Sequence, residues 1–249
     1  MEDQLIFGRK PIADAIDSGM RFEKIFYQAN LKSDEINAIV SSAKASKIAC
    51  QEVPKEKLQD ILYKSKVRDA NHQGIMGFIS LIDYKTIEDI LGIAESRNEP
   101  ALVVVLDGIT DVHNFAAIAR SAECFGAHGI VLQYANAAPV NAVALKISAG
   151  ALTKIPVCRE QSLLSAIKIL RAHGLKIYGA ESTESTTVET LDLKEPLAIV
   201  MGAEGDGIAN VVKKHCDKLV SIPMSGSTDS LNVSVSAGVF LYEINRQRK

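Results

Sequence analysis

Paired cysteines are missing from this chain: Cys50, Cys124, Cys158 and Cys216 stand far apart, and no C-x-x-C occurs. Neither a disulfide framework nor a zinc ribbon is indicated. His72, His113, His128, His173 and His215 never fall at H-x-x-x-H spacing, which removes the commonest helical metal site. A metal-free reaction is expected. No apolar run approaches the roughly 20 residues needed to span a bilayer, and the opening MEDQLIFGRK lacks the basic-then-apolar pattern of a secretory signal. The expectation is a cytoplasmic protein with no membrane partner. An excess of one charge is missing too, 28 Lys and Arg against 30 Asp and Glu giving a net charge of −2. Indiscriminate coating of nucleic acid depends on neutralising phosphates, so this balance argues against it. A local basic groove stays open: Arg9, Lys10, Arg21 and Lys24 near the start, with Arg246, Arg248 and Lys249 at the end, either form one or are ordinary solvated charge.

With 249 residues, 47% of them apolar, the chain can bury a real core and exceeds one typical domain. Two domains are expected. Residues 1–81 read as a small α/β unit, with an amphipathic segment at 11–17, a strand at 22–28, a helix opened by Ser33 and a last strand at 75–81. Residues 82–100 read as a linker, containing the amphipathic TIEDILGIAES and the breaker-ended RNEP. Residues 101–249 form the second domain. It opens on ALVVVLDG, an apolar run of the kind buried on both faces of a parallel sheet. Helices at 113–125, around 140–149, 163–173 and 208–215 then alternate with strands at 128–132, 175–180, 197–202 and 218–223, before a final helix from about Ser230 to Arg246. Such alternation is an α/β layout.

Three constellations stand out. After the first buried strand come Asp107, a turn, His113, Asn114 and, one helical stretch later, Arg120, which the periodicity of Phe115, Ile118, Ala122 and Phe125 places off the core. The bland alternative is a helix cap and a solvated arginine. The second is Gly202-Ala203-Glu204-Gly205-Asp206-Gly207 behind an apolar strand. Its glycines mark a sharp turn or close ligand approach, but G-x-x-G-x-G in this late position is not a dinucleotide fingerprint, which weighs against an oxidoreductase. The third is SIPM, a polar loop, and Ser230-Leu231-Asn232-Val-Ser-Val-Ser. Ser230 reads as the cap of the last helix, which leaves Asn232 and the serines after it without a packing reason.

In order and context, DGITDVHNFAAIARSAECFGAHGIV, LAIVMGAEGDGI and LVSIPMSGSTDSLNVSVSAGVFLYE closely resemble the three motifs of the SpoU/TrmH family of RNA 2′-O-ribose methyltransferases, and the chain is identified as a member from about Ala101 to Arg248. IFGRKPIADAI and NHQGIMGFIS resemble the L30e-like RNA-binding domain of members that methylate a guanosine of 23S ribosomal RNA. The departures are Val112 where the family usually has Pro, and Ala116 where it has Gly; neither removes a reactive group.

The resemblance implies an α/β, SPOUT-type trefoil-knotted, mostly parallel sheet with helices on both faces, preceded by the L30e-like domain. It implies S-adenosylmethionine held by Gly202, Glu204, Gly207, Ile222, Met224 and Leu231, and catalysis by Asn114, Arg120, Glu204, Ser230 and Asn232. Arg120 is its central residue. A guanidinium is almost never deprotonated, so gripping an RNA phosphate suits Arg120 better than acting as base, with a phosphate oxygen or Glu204 taking the proton. Homodimers are implied, with the apolar face over 231–244 as interface or interior. Ribosomal RNA is the expected substrate; transfer RNA, or a non-catalytic RNA-binding role, is the alternative.

Overall fold

The computed structural model describes residues 5–46, 48–67, 70–182, 184 and 186–249; the first four residues of the expected N-terminal domain lie outside these. The chain divides into two compact units, 1–83 and 84–249. Among the described residues no helix is long and apolar enough to cross a membrane.

In the first unit β1 (Leu5–Phe7), α1 (Arg9–Asp17), β2 (Phe22–Gln28), α2 (Asp34–Ala45), β3 (Cys50–Val53), α3 (Lys55–Lys64) and β4 (Ile75–Ile79) follow in turn. The sheet order is β1-β4-β2-β3, with β4 antiparallel to both neighbours and β2 parallel to β3. Ser33 caps α2 by accepting from the Ile36 amide, as its sequence position predicts. Ile12, Ile16, Ile36 and Ile39 of α1 and α2 bury against Phe22, Ile25 and Ile75, while Leu58, Ile61 and Leu62 of α3 cover Leu5, Val53 and Met76 on the other face. The strand alternates its side chains between the two layers. The sequence reading missed β1 and β3, whose short lengths leave little periodicity to detect, and α3.

The second unit begins earlier than the sequence suggests. Helix α4 (Ile87–Ser96), capped by Thr86 with Asp89 in a capping box, is no linker: Ile87, Ile90 and Ala94 are buried in that unit's core. After it come β5 (Leu102–Asp107), α5 (Val112–Cys124), β6 (Gly129–Gln133), α6 (Ala142–Ile147), β7 (Val157–Glu160), α7 (Leu163–Ala172), β8 (Lys176–Ala180), β9 (Leu197–Gly202), α8 (Asn210–Lys213), β10 (Lys218–Val220) and α9 (Val233–Arg248). All six strands are parallel, in the order β10-β8-β9-β5-β6-β7. Val103 and Val105, with Ala198 and Val200, face α4, α7 and α8. Their alternates Val104, Leu106 and Ile199 are equally buried and lie on the side where α5 and α9 pack together.

Strand order reverses around β5: the chain runs outward to β6 and β7, then returns on the other side to β8, β9 and β10. The loops beyond the carboxyl ends of those strands are where an open α/β sheet binds ligands.

Two expectations are corrected. Helix α9 starts at Val233 and is capped by Asn232, not Ser230, because the Asn232 side-chain oxygen Oδ1 accepts from the free amides of Ser234 and Val235. The C-terminal basic cluster is structural. Arg248 donates to the carbonyl oxygens of Pro100, Leu193 and Glu195 at 2.6, 3.0 and 2.7 Å, and burial pushes its pKa down to about 10. Arg246 is engaged by Glu243.

Candidate active site

A cavity of about 640 Å³ opens beyond β8, β9 and β10. Its walls come from three loops. The first, 202–207, closes on itself through a pair of hydrogen bonds between Ala203 and Gly207. Gly205 and Gly207 have φ of +87° and +66°, the region that glycine enters most readily. A Cβ on Gly202 would overlap the Gly207 carbonyl and the Ile208 nitrogen, so only glycine fits where strand passes into loop. Asp107, at the end of β5, accepts from the Ala209 amide at 2.8 Å and ties this loop to the neighbouring strand. The second wall is Val220, Ile222 and Met224 after β10; the third is the segment Asp229 to Val233 leading into α9.

Where the walls meet, Asn232 joins two of the sequence constellations to the third. Its side-chain oxygen Oδ1 accepts from the Ser234 amide at 2.9 Å and hydroxyl at 2.6 Å, capping α9. That fixes the amide orientation, so the nitrogen donates to Asn114 Oδ1 at 3.0 Å and to the Glu204 carboxylate. Asn114 sits in the first turn of α5, whose cap is Asp111. Residues 114, 204 and 232, distant in sequence, thus form one hydrogen-bonded group.

All six residues expected to hold the cofactor, Gly202, Glu204, Gly207, Ile222, Met224 and Leu231, line the cavity, and so do Ser230 and Asn232. Arg120 does not. It is exposed on α5, six residues beyond Asn114, hence about 9 Å along the axis and about a third of a turn around it. It makes no hydrogen bond or ion pair with the described residues.

Sequence reasoning missed Glu181, which lines the cavity and pairs with Lys213 of α8. The signal was an acid directly behind the buried strand KIYGA. Sequence also gave no hint of the floor, Met201 and Phe240, contributed by the end of β9 and the middle of α9.

The cavity's chemistry is one-sided. Glu181, Glu204, Asp206 and Asp229 line it, with no Lys, Arg or His among the described lining residues. Apolar walls with a few carboxylates favour a ligand that is partly apolar and carries positive charge. A nucleoside bearing a sulfonium fits this description in size and sign.

Comparison with known proteins agrees. The profile of the SpoU rRNA methylase family matches residues 101–242, and that of the RNA 2′-O ribose methyltransferase substrate-binding domain matches residues 5–85. A Staphylococcus haemolyticus protein assigned to the TrmH family of tRNA/rRNA methyltransferases is 35% identical over 248 residues, covering 100% of this chain and 97% of the relative. A Synechocystis protein named as a tRNA/rRNA methyltransferase is 36% identical over 245 residues, which are 98% of this chain but 62% of the relative. Among solved structures, the SpoU methyltransferase AviRb from Streptomyces viridochromogenes in complex with the cofactor AdoMet superposes with a TM-score of 0.60 at 26% identity, over 98% of this chain and 90% of that one. An AdoMet-bound rRNA methyltransferase from Sinorhizobium meliloti gives 0.60 at 25% identity, over 98% and 87%.

A parallel sheet whose strand-end loops enclose an acidic, glycine-edged cavity defines the class, an α/β nucleoside-cofactor enzyme. The chain belongs to the SpoU/TrmH family of S-adenosylmethionine-dependent RNA methyltransferases.

Proposed function

We propose that the chain methylates a ribose 2′-hydroxyl, in the cytoplasm, on a guanosine of 23S ribosomal RNA. The observation that carries the reading is the Asn114–Asn232–Glu204 group at the rim of the acidic cavity. S-adenosylmethionine supplies an electrophilic methyl group on sulfur, and its sulfonium charge is matched by the carboxylates of the wall. The chain's contribution is largely positional, as in-line displacement demands. Asn232, oriented by its cap, holds the Glu204 carboxylate and the Asn114 carbonyl toward one point. Ser230 adds a hydroxyl beside them. Glu204 or a phosphate oxygen takes the proton that the attacking hydroxyl gives up. Arg120, a free guanidinium on an exposed helix face, grips the phosphate next to the target ribose.

A homodimer belongs to this reading. Val235 and Tyr242 on α9 are 51% and 55% exposed and Leu231 is 41% exposed, although Phe240, Leu241 and Ile244 of the same helix are buried within the chain. A second copy seated on this outer face, next to α5, would bring an Arg120 to a cavity whose described lining holds no Lys, Arg or His. The trefoil knot is part of this reading through the family match, and the mixed four-stranded sheet of the first unit supports the L30e-like assignment. The substrate-binding match over 5–85 supports RNA.

Transfer of tritiated methyl groups to ribosomal and transfer RNA from a strain lacking the gene, followed by mapping of alkali-resistant linkages, tests the proposal. One new 2′-O-methylguanosine in 23S RNA is expected. Label only in transfer RNA would replace the substrate, and label on a base would overturn the reaction.

A further inference from the structure

Glu181 has a position that the methyl-transfer reading does not use. It is the first residue past β8, its amide bonded to the Val220 carbonyl at 2.9 Å, which fixes it between the β9 and β10 loops. Its side chain is 17% exposed and lines the cavity. One carboxylate oxygen is paired with Lys213, itself 26% exposed. That oxygen, Oε2, is buried against Lys213, which leaves the other carboxylate oxygen to face the cavity. Removing two opposite charges from water is costly, so a pair held at the wall of a cavity is poorly explained by stability alone.

The geometry points to Glu181 as the residue that binds the ribose diol of the nucleoside cofactor. A carboxylate only accepts, so its ligand must donate. S-adenosylmethionine offers three donors: the ribose hydroxyls, the adenine amino group and the methionine ammonium. The ammonium would be placed beside Lys213 and repelled by it. The adenine amino group belongs to a flat ring that the apolar walls Ile222, Leu231 and Phe240 suit better than a charged pair. A ribose hydroxyl, neutral and able to donate, matches the carboxylate oxygen left to the cavity, with its neighbouring hydroxyl alongside. An acid behind a parallel strand, next to a glycine loop, is a geometry that recurs in ribose recognition. Lys213 then acts as a positioning residue that holds the carboxylate still.

The inference rests on the cavity being the cofactor site, and calorimetry separates the two. Wild-type protein is titrated with S-adenosylhomocysteine, its 2′-deoxy and 3′-deoxy analogues, and methylthioadenosine, which keeps the diol but lacks the amino acid. No binding of S-adenosylhomocysteine to wild type would remove the cavity reading itself. Given binding, Glu181→Ala should weaken S-adenosylhomocysteine and methylthioadenosine alike by about 10- to 100-fold. The deoxy analogues should lose affinity on wild type and little more on the variant. Glu181→Gln, which preserves shape, should fall between, with an unchanged melting temperature excluding misfolding. Equal affinity of wild type and both variants would overturn the assignment. So would a loss seen with S-adenosylhomocysteine but not with methylthioadenosine, which would move Glu181 to the ammonium.

Discussion

Asn232 performs two tasks with the two ends of one amide, and substitutions can separate them. Its oxygen caps α9; its nitrogen binds Asn114 and Glu204. Asn232→Ala removes both. Loss of the cap should cost about 1 kcal/mol, which for a chain of this size lowers Tm by roughly 2–4 °C. Asn232→Ser keeps a capping oxygen and should melt within about 1 °C of wild type, since Ser and Asn cap about equally well. Neither variant retains the amide nitrogen that reaches Glu204 and Asn114, the serine hydroxyl being a shorter group, and a hydrogen bond to a charged group contributes about 1.5–3 kcal/mol. If half of that is expressed in the transition state, methyl transfer falls by about 4- to 12-fold, since 1.4 kcal/mol is a factor of ten. Asn232→Asp retains the cap but sets a second carboxylate against Glu204, so its activity should be the lowest of the three. Circular-dichroism melts and single-turnover transfer of tritiated methyl to RNA supply the two readouts. The reasoning is refuted if Asn232→Ser keeps wild-type turnover, or if Ala and Ser melt together.

Gly202→Ala should abolish binding of S-adenosylhomocysteine by calorimetry, because its methyl group would collide with backbone at Gly207 and Ile208 rather than with a movable side chain. Arg120→Lys should leave Tm unchanged, the side chain being exposed, yet reduce methyl transfer by about 10-fold or more if the planar fork grips phosphate; near-normal turnover would end that role. His128 is buried, accepts from the Leu102 amide at 3.0 Å and meets Glu99 through its other nitrogen. Burial lowers its pKa from 6.5 against the opposing pull of Glu99. A depressed folded pKa means the unfolded chain binds the proton more readily, so stability is full above pH 6.5 and declines as pH falls below it. Denaturant melts from pH 7.5 to 5 should follow that slope, and His128→Gln should flatten it. A homodimer predicts that gel filtration at micromolar concentration gives twice the chain mass, and that Val235→Glu with Tyr242→Glu halves it.

Local pattern alone determined a good deal. The all-apolar run before Asp107 meant a strand buried on both faces, as β5 is. Ser33 before Asp34 and Glu35 meant a helix start, and the amphipathic TIEDILGIAES marked the stretch that forms α4. Such signals are local because capping and periodicity act over a few residues. The glycines of 202–207 announced a constrained loop for the same reason. What no local rule contains is which loops meet. Asn232 could not be chosen over Ser230 as the cap, since the choice depends on how the chain enters α9 from β10. Helix α4 looked like a linker because its apolar stripe names no partner; the core of the second unit supplies one. Arg248 looked like a solvent-facing charge until three strand-end carbonyls surrounded it. Strand order decided the site: placing β9 between β8 and β5 brings residues 181, 204 and 232 around one cavity, and long-range pairing of that kind is set by the packing of the whole sheet.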